Sequence, residues 1–216
     1  MIITWHGYSC FKIQEKTRDA EVTLLTDPFE SDGDLKLPRS LAADIVTVSH
    51  DHAHHNNLGA VSGEPFVIDG PGEYEVKGMF VTGVSTFHDM VEGKEKGLNT
   101  MYYITAGGIH AVHLGDLKHP LEDRHMEEFH NIDILFVPVG GGDVLNAKQA
   151  VEIVGQLEPR IIIPMHYRTP GMKDLDGVDA FFKAMGVSKP EPLPKFKITD
   201  KDLPQEKTQI VLLDLA

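Results

Sequence analysis

The sequence predicts a layered α/β sandwich built as one domain over residues 1–216. About ten short segments rich in β-branched and other apolar residues are each bounded by Gly, Pro, Asp or Asn, a pattern typical of strands. Two segments with helical periodicity follow late in the chain, after most of these strands. The 216 residues are enough to bury one sizeable core, and no linker or low-complexity tract divides them.

The predicted elements run along the chain in a simple order. The strands are MIITW, EVTLLTD, ADIVTVSH, PFVID, GMFVTGVSTF, NTMYYIT, GIHAVHLGD, DILFVPVG, PRIIIPMHY and TQIVLLDL. The first helix is expected after Asn146, which can form a capping box with Gln149, and is expected to end before Pro159. The second is expected from about Asp174 to Gly186. This order predicts sheets that are covered by helices on their outer faces.

The composition excludes several classes of function. A net charge of −13 disfavours a broad electrostatic interface with nucleic acid or an anionic membrane. The single cysteine, Cys10, excludes a disulfide within the chain and a thiolate zinc cluster. No apolar run approaches the roughly 18 residues of a membrane span, and the start MIITWHGYSCF lacks the pattern of a secretory signal. We therefore expect a cytoplasmic protein with a small-molecule substrate; a homo-oligomer is compatible with the sequence.

Four of the 12 histidines lie within the stretch SHDHAHHN, directly after a predicted strand: His50, His52, His54 and His55. In extended backbone, side chains two residues apart point to the same side, so His50 and His52 can bind one ion. His54 and His55 follow as the chain turns and can serve a second. Catalytic zinc sites use such ligands and leave one position open for water. The alternative interpretation is a solvent-exposed polar loop.

Other metal-capable side chains also follow predicted strands. They are His88 and Asp89 after GVSTF, Asp116 after HAVHL, and His166 after RIIIPM. Strand ends fix the positions of loops that carry function, so these ends are expected to converge on one cleft. His113 is an alternative ligand to His88.

Taken in order, LLTDPF, HDHAHHN, FHD, HLGD and PMHY resemble the motifs of the metallo-β-lactamase-fold hydrolases. The segments ITWHGYSCFKI, PGEYEVKG and DLPQEKTQIVLL extend the resemblance over nearly the whole chain. More narrowly, the chain is similar to the short, single-domain branch that includes ascorbate-6-phosphate lactonase-like proteins. The resemblance implies a four-layer αββα sandwich with metals at one edge of its two sheets.

The resemblance also implies two metal sites. The first would consist of His50, His52 and His88, and the second of His54, His55 and His166, with Asp116 bridging them. Asp27 would hold the histidine loop through hydrogen bonds. The implied cofactor is a divalent metal, with two zinc ions expected and manganese, iron or nickel as alternatives.

Two positions depart from the family pattern. The family motif is usually HxHxDH, and His54 occupies its Asp position, which leaves the number of metals and the identity of the general base open. WHGYS has His6 and Tyr8 where relatives often carry a histidine after the glycine.

The predicted activity is metal-dependent hydrolysis of a small ester, lactone or phosphoester by a metal-bound hydroxide. Bound ions dominate the local charge, so the substrate is expected to carry an anionic group. The catalytic candidates are Asp116, His54, Asp89 and Tyr167. Asp89 and Asp51 are candidates to orient ligand imidazoles, with a solvated loop charge as the alternative. Tyr167 is a candidate to donate to a developing oxyanion, with a rim residue packed on the sheet edge as the alternative.

Several alternatives stay open at this point. A catalytically silent or regulatory metal-binding relative would fit the missing Asp, and a phosphodiesterase or nuclease is disfavoured by the acidic composition. A di-iron oxygen-reducing enzyme of this fold typically has Glu at the position of His52. The Gly140–Gly142 run lacks the further residues of a nucleotide-binding motif and favours a tight loop beside the cleft. Residues 88–100 form either a hairpin tip or a mobile flap.

Overall fold

The computed structural model describes residues 1–18, 20–169 and 172–216. Its strands fall into two large sheets and one short pair. In chain order they are β1 (Ile2–Gly7), β2 (Cys10–Lys16), β3 (Glu21–Thr26), β4 (Leu41–Ala42), β5 (Ile45–Thr47), β6 (Val61–Ser62), β7 (Phe66–Ile68), β8 (Gly72–Val76), β9 (Met79–Phe87), β10 (Leu98–Ala106), β11 (Ile109–His113), β12 (Ile134–Pro138), β13 (Ile161–Met165), β14 (Phe196–Lys197) and β15 (Gln209–Ile210).

Both large sheets are mixed. The six-stranded sheet has the order β14-β1-β2-β3-β5-β7, and the seven-stranded sheet has the order β15-β13-β12-β11-β10-β9-β8. β3, β5 and β7 are parallel to one another, and so are β11, β12 and β13. β9 is antiparallel to β10, which is antiparallel to β11, so β9 and β11 run in the same direction. The carboxyl ends of these strands therefore collect at one edge of each sheet.

The opening segment is a hairpin rather than one strand. Gly7 and Tyr8 have positive φ values of 113° and 46°, which turn the chain between β1 and β2. β1 and β2 then pair with Ile3 opposite Ile13 and Trp5 opposite Phe11. The sequence prediction gave MIITW as the first strand and EVTLLTD as the next, so it missed β2.

The sheets face each other across a core of buried apolar residues. Phe11 of β2 lies 4.5 Å, between ring centroids, from Phe136 of β12. The hydroxyl group of Tyr102, on β10, donates to the backbone oxygens of Val48 and Ile68 at 2.7 and 3.0 Å. These contacts fix the relative position of the two sheets close to the ends of β5 and β7.

The α-helices are α1 (Asp123–Met126), α2 (Ala147–Leu157) and α3 (Asp179–Met185). α2 begins as predicted, because the Asn146 side chain accepts from Lys148 and Gln149 while the Gln149 side chain accepts from the Asn146 backbone. α3 ends at Gly186 in the left-handed conformation, as predicted, but begins five residues later than the predicted Asp174. Before α1, the described residues form one short helical segment, the 3-10 turn Leu58–Ala60. No described helix has the combination of length and apolar character that spanning a membrane requires.

Candidate metal centre

The ends of five strands supply the candidate ligands. Asp27 follows β3, and the histidine loop, residues 50–55, begins three residues after β5. His88 follows β9 directly, Asp116 lies three residues after β11, and His166 follows β13 directly. The expected convergence of polar side chains on one edge is therefore what the sheet topology produces.

Two groups of side chains have ligand atoms close enough to hold a metal ion. The first is His50, His52 and His88, and the second is His50, His55 and Asp116; within each group the ligand atoms lie within 4.8 Å of one another. The first group matches the first site that the family resemblance implies. All of these residues are buried except His52, which is exposed to the cavity.

The Asp116 carboxylate lies at the middle of the histidines. Its Oδ2 atom is 3.1 Å from His55 Nε2, 3.7 Å from His88 Nε2 and 4.0 Å from His50 Nε2. Its Oδ1 atom is 2.8 Å from His166 Nδ1. One carboxylate thus faces four imidazoles from three separate loops, as expected for the bridging residue that the family resemblance implies.

Asp27 holds the histidine loop from below. Its Oδ1 atom accepts from the Ser49 backbone N–H at 2.7 Å, and its Oδ2 atom accepts from the Ser49 hydroxyl at 2.8 Å and lies 3.0 Å from His55 Nδ1. Because the Ser49 hydroxyl proton is donated to Asp27, its oxygen must accept from His50 Nδ1, 2.9 Å away. Nε2 of both His50 and His55 is thereby directed towards the metal site, which is the role expected of a partner that orients ligands.

The electrostatics of this cluster are those of a cation site. Burial raises the pKa of Asp116, but the neighbouring His166 and His55 outweigh it and hold that pKa well below its usual range. Burial lowers the pKa of His55, yet Asp116 and Asp27 together raise it to about 10. Burial and the adjacent His55 lower the pKa of His50 to about 2, so that ring is neutral and can act as a ligand.

Backbone geometry positions Asp116. Gly115 has a φ of 56°, and a Cβ atom there would lie 2.3 Å from Asn99 Oδ1 and 2.7 Å from Ser49 Cβ, so a side chain does not fit. Asn99, buried on β10, accepts from the Asp116 backbone N–H at 2.9 Å and donates to the Leu114 carbonyl at 3.0 Å. Sequence reasoning missed Asn99 and Ser49, because neither has a recognisable spacing to the ligands.

His166 is held in an unusual conformation. Its φ is 51°, and its backbone N–H donates to the Tyr8 carbonyl at 3.1 Å. Ser9, at the turn between β1 and β2, places its hydroxyl oxygen 3.2 Å from His166 Nδ1 and 3.3 Å from Asp116 Oδ1. A Cβ atom on Gly140 would lie 2.1 Å from the His166 carbonyl oxygen, so the loop after β12 must carry glycine there.

Of the three histidines that the resemblance implies for the second site, His55 alone is in a ligand group; His54 and His166 are not, although His166 Nδ1 lies 2.8 Å from Asp116 Oδ1. The His54 ring stacks on Tyr8, with centroids 4.4 Å apart and planes inclined by 14°. The Tyr8 hydroxyl donates to Asp32 Oδ2 at 2.6 Å, which fixes the tyrosine ring under the histidine. His54 therefore lines the cavity beside the ligands.

The structure assigns different surroundings to three other candidates. Asp89 accepts hydrogen bonds from backbone N–H groups of its own loop, and Asp51 is exposed and accepts from the Asn56 side chain, so neither contacts a ligand imidazole through a hydrogen bond. Tyr167 is buried with its ring centroid 4.9 Å from that of Trp5, and it lines a separate cavity behind the site.

His113 is also outside the site. It is fully buried, and its Nε2 atom lies 2.8 Å from the Ser9 carbonyl oxygen, where it supports the turn that carries Ser9. His119 Nε2 contacts the Thr86 hydroxyl group at 2.7 Å rather than the cleft. The described part of the chain thus supports His88 as the ligand from β9.

The ligands open into a cavity of about 410 Å³. The residues that line it come from the turn between β1 and β2, the histidine loop and the segments that follow β3, β9, β11, β12 and β13: Tyr8, Asp32, His52, His54, His55, His88, Lys96, Asp116, Gly142, Asp143, His166, Met172, Lys173, Asp174 and Leu175. This volume is suited to a small molecule. Of the glycine run at 140–142, Gly142 lines the cavity.

Comparison with known proteins decides the family. The β-lactamase superfamily domain matches residues 2–166, which are most of the chain. The chain belongs to the metallo-β-lactamase superfamily. This membership confirms the fold class that the motifs imply.

Relatives within the metallo-β-lactamase superfamily span nearly the same length. A solved structure from Thermotoga maritima, described as a Zn-dependent hydrolase, has 37% identity and a TM-score of 0.79 over 98% of both chains. A UPF0173 metal-dependent hydrolase from Methanosarcina mazei is 27% identical over 77% of this chain and 83% of its own length. A metallo hydrolase from Ignicoccus hospitalis, 18% identical over 92% of this chain and 99% of its own, has a TM-score of 0.63 and shows the shared fold. These names agree with the predicted class of enzyme.

Proposed function

We propose that the protein is a metal-dependent hydrolase that holds two divalent ions and cleaves a small ester, lactone or phosphoester with an anionic group. The observation that carries the proposal is the position of Asp116. Its carboxylate lies within 4.0 Å of ring nitrogens from four histidines, and it is buried at the base of a cavity.

The donor set fits a pair of first-row divalent ions. Ring nitrogens and carboxylate oxygens are the ligands that zinc prefers. His50 Nε2, which faces Asp116, is buried and has no hydrogen-bond partner among the described residues, an arrangement that is costly unless a ligand is bound there. His50, His52 and His88 would hold one ion, and His55, His166 and Asp116 the other. Zinc is our first choice, with manganese, iron and nickel as alternatives for imidazole ligands.

Divalent ions bound here would lower the pKa of a coordinated water to about 7 and polarise the scissile group. The chain's own residues prepare for this chemistry. Asp27 and Ser49 orient His50 and His55, and Asn99 orients the Asp116 backbone. Tyr8 and His54 form a flat wall beside the ligands, which restricts how a substrate can lie.

The expected positive charge of the metal-loaded site favours a substrate with an anionic group. Two divalent ions would bring about four positive charges to a site whose metal-contacting carboxylate is that of Asp116 alone, so the cleft would be positive despite the acidic protein. The inclusion of lactones rests on the resemblance to lactonase-like proteins, and the inclusion of esters and phosphoesters rests on the shared chemistry of metal-activated water.

Turnover on a panel of esters, lactones and phosphoesters tests the proposal. The protein is purified without a histidine tag, its metals are measured by elemental analysis, and activity is compared before chelation, after chelation and after adding back each candidate ion. We expect about two ions per chain and activity that is lost on chelation and restored by metal. Asp116→Asn should abolish it, whereas Asp69→Asn, an exposed acid elsewhere, should not.

Two outcomes would contradict this function. Turnover that survives chelation would exclude a metal-dependent reaction. Tightly bound metal without turnover on any member of the panel would favour a catalytically silent relative, which is the alternative that the missing motif Asp at position 54 suggests.

A further inference from the structure

Lys96 lies at the mouth of the metal cavity. It belongs to the loop that leaves His88 and returns into β10, and it lines the same cavity as His52, His55 and Asp116. Its Nζ atom is 2.7 Å from Asp143 Oδ2, on the loop after β12. The lysine side chain is 37% exposed and that of Asp143 is 66% exposed, so both reach solvent while facing the cleft.

The backbone at Lys96 is fixed by Asp89. The Asp89 carboxylate accepts from the N–H groups of Val91 and Gly93, each at 2.8 Å, and of Glu95 and Lys96 at 3.0 and 2.8 Å. The loop is therefore held as a closed turn, and the residue that it presents to the cavity is a lysine.

The Asp143 carboxylate can be replaced at Lys96 by another anion at little cost in stability. Solvent-exposed ion pairs contribute little to stability, because water competes for both groups. The cavity wall opposite the loop contributes a further lysine, Lys173, whose side chain is exposed. A substrate anion that enters the cleft can replace the Asp143 carboxylate at Lys96 Nζ without leaving a buried charge unpaired.

We propose that Lys96 is a specificity-determining residue, which binds an anionic group of the substrate while the scissile group lies at the histidine cluster. Asp143 is its partner in the free protein, and Asp89 positions it through the backbone. The inference deepens the proposed function and rests on it for the location of the reacting group. It adds the residue and the contact by which an anionic substrate is recognised away from the metals.

Binding of two non-reacting probes separates Lys96 from the metals. Succinate and butyrate have four carbons each and both offer one carboxylate to the ions, but only succinate has a second for Lys96. We would titrate each into the metal-loaded protein by calorimetry. Wild type should bind succinate more tightly than butyrate. Lys96→Met should lower the affinity for succinate by about tenfold, which removes most of that preference, and should leave the affinity for butyrate unchanged.

Matched variants complete the test. Lys94 lies in the same loop, is 74% exposed, pairs with Glu92 and does not line the cavity, so Lys94→Met should keep the wild-type preference. Lys96→Arg should retain much of it, because it keeps the positive charge. Asp143→Asn, which removes the competing carboxylate, should tighten succinate binding several-fold, and adding Lys96→Met to it should abolish that gain.

Three results would overturn the inference: no preference for succinate in the wild type, an unchanged preference in Lys96→Met, or an equal loss in Lys94→Met. These readouts need no turnover. If the proposed function is wrong but Lys96 binds anions, hydrolysis will be absent across the substrate panel while the preference for succinate still depends on Lys96. The two failures are therefore distinguishable.

Discussion

Asp27 Oδ2 lies 3.0 Å from Nδ1 of His55, beneath the loop that carries the candidate ligand histidines. The carboxylate is fully buried, and it also accepts from the backbone and hydroxyl groups of Ser49. Burial raises its pKa, but the neighbouring His55 outweighs burial and lowers the pKa. Asp27 thus stays ionised and fixes the ring orientation of His55 directly and of His50 through Ser49.

Replacement of Asp27 should weaken metal binding without abolishing it. Asn is the suitable substitution, because Asp27 has a φ of 39°, a conformation that Asn tolerates better than most residues. Asp27→Asn has one acceptor oxygen and turns its NH2 group towards the remaining donor, so it cannot keep all three hydrogen bonds to Ser49 and His55, and we expect metal affinity to fall by about 10–100-fold. Competition with a chromophoric chelator measures this. Asp69→Asn is the control, and equal affinity in both variants would contradict the role of Asp27.

Removal of the His54 side chain should leave the metal content unchanged. The ring stacks on Tyr8 and is outside both ligand groups, so elemental analysis of His54→Ala should give as many ions per chain as wild type. His88→Ala, which removes a ligand from the first group, should lose about one ion. If His54→Ala loses one ion as well, His54 is a ligand after all. His54→Asp should bind the second ion more tightly.

The convergence of the candidate ligands on one edge could be predicted from the sequence, because strand ends and ligand residue types are both local signals. The histidine loop, His88, Asp116 and His166 each follow an apolar run, and the topology brings them to one edge. The α2 cap was predictable for the same reason, since Asn146 and Gln149 are three residues apart and contact only their own helix.

The surroundings of His54, Asp89 and Tyr167 could not be predicted from the sequence, because residue spacing does not show which groups these side chains contact. His54 is directed by Tyr8, a residue 46 positions earlier whose ring is anchored by Asp32. Asp89 accepts from amides that come within reach only when its loop closes. Tyr167 packs against Trp5, a residue 162 positions earlier in the chain.

Neutralising Asp89 should loosen the loop of residues 90–97. Asn has one acceptor oxygen and would turn its amino group towards backbone N–H donors that now bind a carboxylate, so the loop should open more often. In Asp89→Asn, we expect hydrogen exchange at the amides of Val91, Gly93 and Lys96 to accelerate at least about tenfold. Glu92→Gln, an exposed change in the same loop, should exchange like wild type. Unchanged protection in Asp89→Asn would show that other contacts hold the loop.

His6 should make stability depend on pH below neutrality. It is 6% exposed on β1, and neither ring nitrogen has a hydrogen-bond partner among the described residues. Burial, reinforced by Lys12, lowers its pKa to about 4 from an ordinary value near 6.5. The unfolded chain therefore takes up the proton more readily than the folded one, so the contribution is fully present above pH ~6.5 and is lost as pH falls from there towards 4. Between pH 7 and 5 the loss is about 2 kcal/mol of unfolding free energy.

Denaturant unfolding of wild type and His6→Leu at pH 7 and pH 5 isolates this contribution. Leucine cannot be protonated, so the variant should lose less stability on acidification, by about 2 kcal/mol. Both proteins would be studied after complete metal removal, because protonation of the ligand histidines otherwise couples metal release to the same transition. The variant need not match the wild type in absolute stability, since only the difference between the two pH values is compared. Parallel losses in the two proteins would mean that His6 is already solvated or paired in the folded state.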